Sequence, residues 1–173
     1  VEAYADELNL RVDWEKRPNH EGLDIDITEI DKEFIYEEMG IKITSIEVQH
    51  QPVEPAYGYQ VFVDDKKITY SGDTRYSKNL EKASKNAEYL IHEVFVSLAF
   101  NEKRMTEDTL KNVKDYHSTP KDVGTLAKAA NVKKLILNHF VPPVFDEEIL
   151  KAEISKYYKG EIIVGKDLDE FIL

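Results

Sequence analysis

Four histidines and two carboxylates carry the chemistry this chain can offer: His50, His92, His117 and His139, with Asp73 and Glu93. Asp73 follows Gly72 in "ITYSGDT", just past a run of β-forming residues. His50 closes "IKITSIEVQH", and His139 follows the apolar run "KKLILN". Imidazole and carboxylate together supply what a divalent cation needs where no thiolate is available, and they suit zinc, manganese or iron. Each residue also has an ordinary structural reading. Asp73 fits a turn, and His50 and His139 fit core-edge positions bonded to backbone. Only their joint arrival at three strand ends favours a metal site. His20, in "RPNHEG", reads as a solvated surface residue.

A second constellation pairs "IHE" at Ile91 to Glu93 with "YHST" at Tyr116 to Thr119. A carboxylate that orients an imidazole and holds its proton in place makes it a better general acid. Successive side chains of a strand point to opposite faces, so only one of His92 and Glu93 can face the site. Glu93 is the expected partner of His117. His92 is left a packing or supporting role.

The elements that must position these groups follow from periodicity. "EGLDIDITEI" alternates like a half-buried strand, and "EFIYEEMG" is ambiguous, with Gly40 ending it. "GYQVFVDDKKITYSGDT" predicts a hairpin turning at Asp64-Asp65. "SKNLEKASKNA" and "EDTLKNVKDY" predict helices, and "EYLIHEVFV" a strand between them. In "STPKDVGTLAKAA", Ser118 or Thr119 caps a helix with Pro120 in its first turn. "VKKLILNHF", "FDEEILKAEISKYY" and "GEIIVG" complete a strand–helix–strand series. Alternation from Thr69 to Gly165 predicts an α/β fold, in which functional side chains gather where strands end.

Composition bounds the function. The chain has 173 residues, enough for one domain with its own core, and a formal net charge of −11. That charge weighs against a broad nucleic-acid-binding face, which draws on clustered lysine and arginine. With no cysteine, disulfides and thiolate metal sites are excluded, and a reducing cytoplasm is the expected compartment. No apolar run is long enough to span a bilayer, so no membrane association is expected.

"VQHQPVEPAYGY", "YSGDT", "LIHEVF" and "YHSTPKDVGTLAKAANVKKLILNHFVPP" occur in that order. Together they resemble the C-terminal motifs of the metallo-β-lactamase fold, in its ribonuclease Z and arylsulfatase-like branch. The resemblance covers roughly His50 to Pro143. It implies that His50 binds a first metal, that Asp73 bridges two, and that His139 binds the second. It implies that His117 protonates the leaving oxygen and Glu93 orients it. The implied activity is hydrolysis of an ester, commonly a phosphodiester, by a metal-bridging water, with two zinc ions in the intact fold. The implied substrate is a small-molecule ester or an RNA 3′ end. Gly58 and Gly72 resemble motif glycines that shape the backbone.

The same family carries an HxHxDH motif in its N-terminal half, and no such segment occurs in these 173 residues. The expectation is therefore one domain over residues 1–173, the C-terminal half of an αββα sandwich, a mixed sheet with helices on its outer face. His50, Asp73 and His139 alone cannot complete two metal sites. A missing N-terminal half, a second chain or self-association would have to cover the bare sheet face. A non-catalytic half-domain that assembles with a partner segment is the competing expectation.

Overall fold

The computed structural model describes residues 4–16, 27–30, 34–96 and 106–172. His20 and residues 21–26 of the expected first strand lie outside the described residues, and residues 27–30 of it are irregular. The chain divides into two units, residues 1–31 and 32–173. In the first, helix α1 (Ala5–Trp14) carries an exposed Glu7–Arg11 pair at 2.7 Å, one turn apart.

The second unit is a seven-stranded mixed sheet in sequence order, β1 (Ile35–Glu38), β2 (Ile41–Glu47), β3 (Tyr57–Val63), β4 (Lys66–Tyr70), β5 (Tyr89–Phe95), β6 (Lys134–Val141) and β7 (Glu161–Val164). The first four strands pair antiparallel through short connections. Asp64 and Asp65 turn β3 into β4 with φ of +48° and +60°, the backbone a tight hairpin needs. From β4 onward pairing is parallel, which requires crossovers. These are α2 (Lys78–Ala83), then α3 (Glu107–Asp115) and α4 (Pro120–Ala129), then α5 (Glu147–Ser155).

The core lies on one face of the parallel strands. Leu90 and Val94 of β5 alternate with Leu135 and Leu137 of β6, under Leu80 of α2, Val123 and Leu126 of α4, and Leu150 and Ile154 of α5. Each such side chain, fully buried, contributes about 1.5–3 kcal/mol. Helix starts are fixed by side chains. Ser77, Thr119 and Asp146 accept the orphan amides of Leu80, Asp122 and Ile149. Thr119 and Asp122 form a reciprocal capping box with Pro120 at the first turn. That box pins α4 directly behind His117 and Ser118.

Two backbone devices aim the chemistry. The β5–β6 register runs from Leu90↔Leu135 to Glu93↔Asn138, then resumes at Val94↔Phe140, so His139 is the extra residue of a bulge. Its φ of +40° turns it out of the ladder. The second device is a close crossing of β3 with the turn after β4. A Cβ on Gly58 would lie 2.6 Å from the Tyr70 carbonyl oxygen, and one on Gly72 2.4 Å from that of Tyr57. Gly72 also has φ +58°, a conformation that costs other residues strain. Glycine at both positions lets the backbones touch and delivers Asp73 to the cleft.

Candidate metal centre

Asp73 lies at the middle of the histidine cluster. Its Oδ2 is 3.3 Å from His139 Nε2 and 3.9 Å from His50 Nε2. Donor atoms of Asp73, His117 and His139 all lie within 4.8 Å of one another. The His117 ring centroid is 5.2 Å from that of His50 and 5.7 Å from that of His139. Sequence positions 50, 73, 117 and 139 thus meet in one cleft. Glu93 and His139 sit near the C-terminal ends of β5 and β6, and His50 and Asp73 just past the ends of β2 and β4, at or near strand ends as the sequence suggested. The bulge turns His139 toward Asp73.

The imidazoles are oriented from behind. His50 Nδ1–H donates to the Tyr116 carbonyl at 2.9 Å, which leaves Nε2 facing Asp73. His117 Nδ1–H donates to Glu93 Oε1 at 3.0 Å, which leaves Nε2 as its open nitrogen. A metal-ligating histidine characteristically donates its other N–H to a carbonyl or carboxylate in this way. His92, in contrast, is fully buried on the opposite face, and its Nδ1–H donates to the Glu93 carbonyl at 2.7 Å. Burial pushes its pKa down and keeps it neutral.

Glu93 Oε1 is a junction. Besides His117 it accepts the backbone amides of Thr74 and Ser118, each at 3.1 Å. The Glu93 amide donates to Ser71 Oγ at 3.0 Å, and Ser71 Oγ donates to the Gly72 carbonyl at 2.6 Å. Ser118 Oγ donates to the Thr74 carbonyl at 2.7 Å. Ser71, Thr74 and Ser118 are buried, so these bonds are shielded from competing water. Reasoning from sequence missed this network and the Tyr116 carbonyl. The one signal for it was hydroxyl residues directly beside the chemical ones, in "SGDT" and "HST".

The donor set fits a divalent cation. Two ligands of one tetrahedral zinc, each about 2.0–2.1 Å from the ion, lie about 3.3 Å apart. The Asp73–His139 pair has that spacing, and the His50–Asp73 pair is wider. Glu93 Oε2 is buried with no partner among the described residues, an acceptor still open in the wall of the site.

A family model described as "Beta-lactamase superfamily domain" matches residues 2–140. The chain belongs to the metallo-β-lactamase superfamily. A ribonuclease Z of Mycobacterium bovis is 28% identical over 131 residues, which cover 75% of this chain and 46% of that protein. A ribonuclease Z of Mycobacterium marinum is 27% identical over 149 residues, covering 83% and 52%. The chain thus spans about half the length of the curated relatives it matches. Among solved structures, the metallo-β-lactamase fold protein YhfI from Bacillus subtilis aligns with a TM-score of 0.65 at 21% identity, over 79% of this chain and 52% of that one. The short form of human tRNase Z aligns with a TM-score of 0.53 at 20% identity, over 80% and 44%. These likenesses agree on a metallo-β-lactamase α/β fold, the class expected from the ordered motifs. Among the described residues no helix is long and apolar enough to cross a membrane.

Proposed function

We propose that this metallo-β-lactamase domain forms part of a metal-dependent phosphoester hydrolase. The observation that carries the reading is the meeting of Asp73, His117 and His139 donors beside His50, with two imidazoles held from behind. His50, Asp73 and His139 would be the ligands in this reading, Asp73 being the one that the family resemblance implies is shared between two ions. Zinc suits imidazole and carboxylate donors, and manganese or iron would use the same set. A divalent ion held there would polarise the ester and lower the pKa of a bound water.

The chain's own residues supply the rest. Glu93 holds a proton on His117 Nδ1, so a second proton on Nε2 is aimed at the cleft. As water adds to phosphorus and the ester P–O bond breaks, that proton passes to the leaving oxygen, while the proton the water sheds goes to solvent, from which His117 Nε2 is reprotonated. Imidazolium charge is stabilised by the Glu93 carboxylate throughout. Completion of two metal sites calls for further ligands. An HxHxDH segment in a longer chain or in a partner would provide them. RNA is the substrate that the ribonuclease Z relatives suggest, whereas the −11 charge favours a small ester.

Metal content measured beside kinetics tests this. The 173-residue chain should take up added zinc yet turn over an activated aryl phosphodiester poorly, because its ligand set is partial. In a chain that also carries HxHxDH, Asp73→Ala should lose metal and turnover together. His117→Ala should keep its metal and lose about 10²–10⁴-fold in turnover, less on substrates with good leaving groups. If His117→Ala strips metal as completely as Asp73→Ala, His117 is a ligand and the proton-donor role fails. If the longer chain binds metal and hydrolyses nothing, the domain is an assembly module and not an enzyme part.

A further inference from the structure

A groove of about 280 Å³ opens beside the metal centre, lined by Arg75, Tyr76, Lys114, Asp115, His117 and Asp122 among others. We propose that it is a subsite for an anionic phosphate group of the substrate, held by Arg75 and Lys114. The inference rests on the phosphoester reading and names what the region next to His117 would bind.

Four observations carry it. Arg75 is two residues from Asp73 and its backbone is fixed, its amide donating to the Gln49 carbonyl at 2.9 Å. Its Nη2 makes a long bond of 3.3 Å to the Gln51 carbonyl, beside His50. Its Nε is buried and has no acceptor among the described residues. Lastly, neither Arg75 nor Lys114 has a carboxylate within ion-pair distance among the described residues, although the chain holds 34 acidic residues against 23 basic ones. Guanidinium Nη groups and lysine ammonium groups donate charge-assisted bonds to tetrahedral oxyanions. Of the two carboxylates in the lining, Asp122 is committed to the Thr119 amide and hydroxyl, at 3.0 and 2.5 Å. Asp115 is exposed and opposes an anion, which supplies a test of sign.

The probe is inorganic phosphate titrated into the metal-free chain, read by the Arg75 Nε–H resonance and by calorimetry. Saturable binding is expected to shift that resonance. Arg75→Gln should weaken binding about tenfold or more, the range for a charged hydrogen bond, and Lys114→Gln about threefold. Asp115→Asn, on the surface, should tighten it. Adenosine 5′-monophosphate is the second probe. Tighter binding than phosphate assigns the groove to a nucleotide-borne phosphate, and equal binding to the phosphate group alone. Both support the subsite. No saturable binding, or binding unchanged by Lys114→Gln and Asp115→Asn, overturns it even if Arg75→Gln fails to fold. Because no metal is present, the titration reads the groove alone. Phosphate binding without hydrolysis in the longer chain would end the catalytic reading and leave the subsite standing.

Discussion

Gly72→Ala is the sharpest test of how Asp73 is delivered. The new methyl carbon would sit 2.4 Å from the Tyr57 carbonyl oxygen and 3.3 Å from its carbon. A methyl–oxygen contact needs at least about 3.0 Å, so backbone must yield by about 0.6 Å. The obstacle is main chain of β3, already hydrogen-bonded to β2 and unable to rotate away. Holding alanine at φ +58° adds about 1–2 kcal/mol of left-handed strain. Overpacking of this kind costs about 1–3 kcal/mol. The sum is about 2–5 kcal/mol. A central value of about 3 kcal/mol lowers the melting temperature of a chain this size by about 6–12 °C. Thermal denaturation followed by circular dichroism measures it, and zinc uptake by the same samples reports on Asp73. A variant that melts within about 1 °C of the parent and takes up zinc equally would refute the crossing argument.

Glu93→Ala should destabilise the fold by about 4 kcal/mol or more, because the amides of Thr74 and Ser118 and the Nδ1–H of His117 lose one shared acceptor. Glu93→Gln keeps a carbonyl oxygen there and should cost about 1–2 kcal/mol; equal losses in urea titrations would contradict the junction. His92 is held neutral by burial, so its folded pKa lies below its unfolded value of about 6.5. Its contribution is complete above that pH and is lost as pH falls, by up to about 1.4 kcal/mol per unit. Comparing urea midpoints at neutral and acid pH, His92→Gln should be less acid-sensitive than the parent, and equal sensitivity would remove His92 as the cause. Thr119→Ala should cost about 1 kcal/mol through the lost cap of α4, with unchanged melting as the contrary result.

The parallel half of the sheet was readable because its signals are local. "EYLIHEVFV" and "VKKLILNHF" are continuous apolar runs of strand length, and "STPKD" announces a capped helix. The Asp64-Asp65 turn was readable because few residues other than glycine, asparagine and aspartate accept positive φ twice. Alternation alone also separated Glu93 from His92, which the structure places on opposite faces of β5. The bulge at His139 was not readable. It arises from pairing with β5, where Glu93 ends one register and Val94 starts the next, and no local residue pattern encodes that. Helix α1 escaped for a different reason: "ADELNLRVDW" has only a weak apolar face, so its periodicity is faint. The bonding of the hydroxyl network was not readable because, apart from the local Ser71–Gly72 bond, it joins residues 19 to 44 positions apart.

The convergence of Thr74, His117 and Ser118 on one oxygen of Glu93 restricts how this cleft can diversify. The turn after β4 and the segment before α4 are registered to a common atom, so neither can lengthen or shorten independently. An inserted residue in either would release the other along with it. Under the proposed function, new ligand preferences would therefore arise by exchanging outward side chains such as Lys114 and Asp115 at the end of α3, while the lengths of the adjoining segments stay frozen. Variant libraries that randomise those side chains should retain folded members far more often than libraries that vary the length of 71–75 or 115–119.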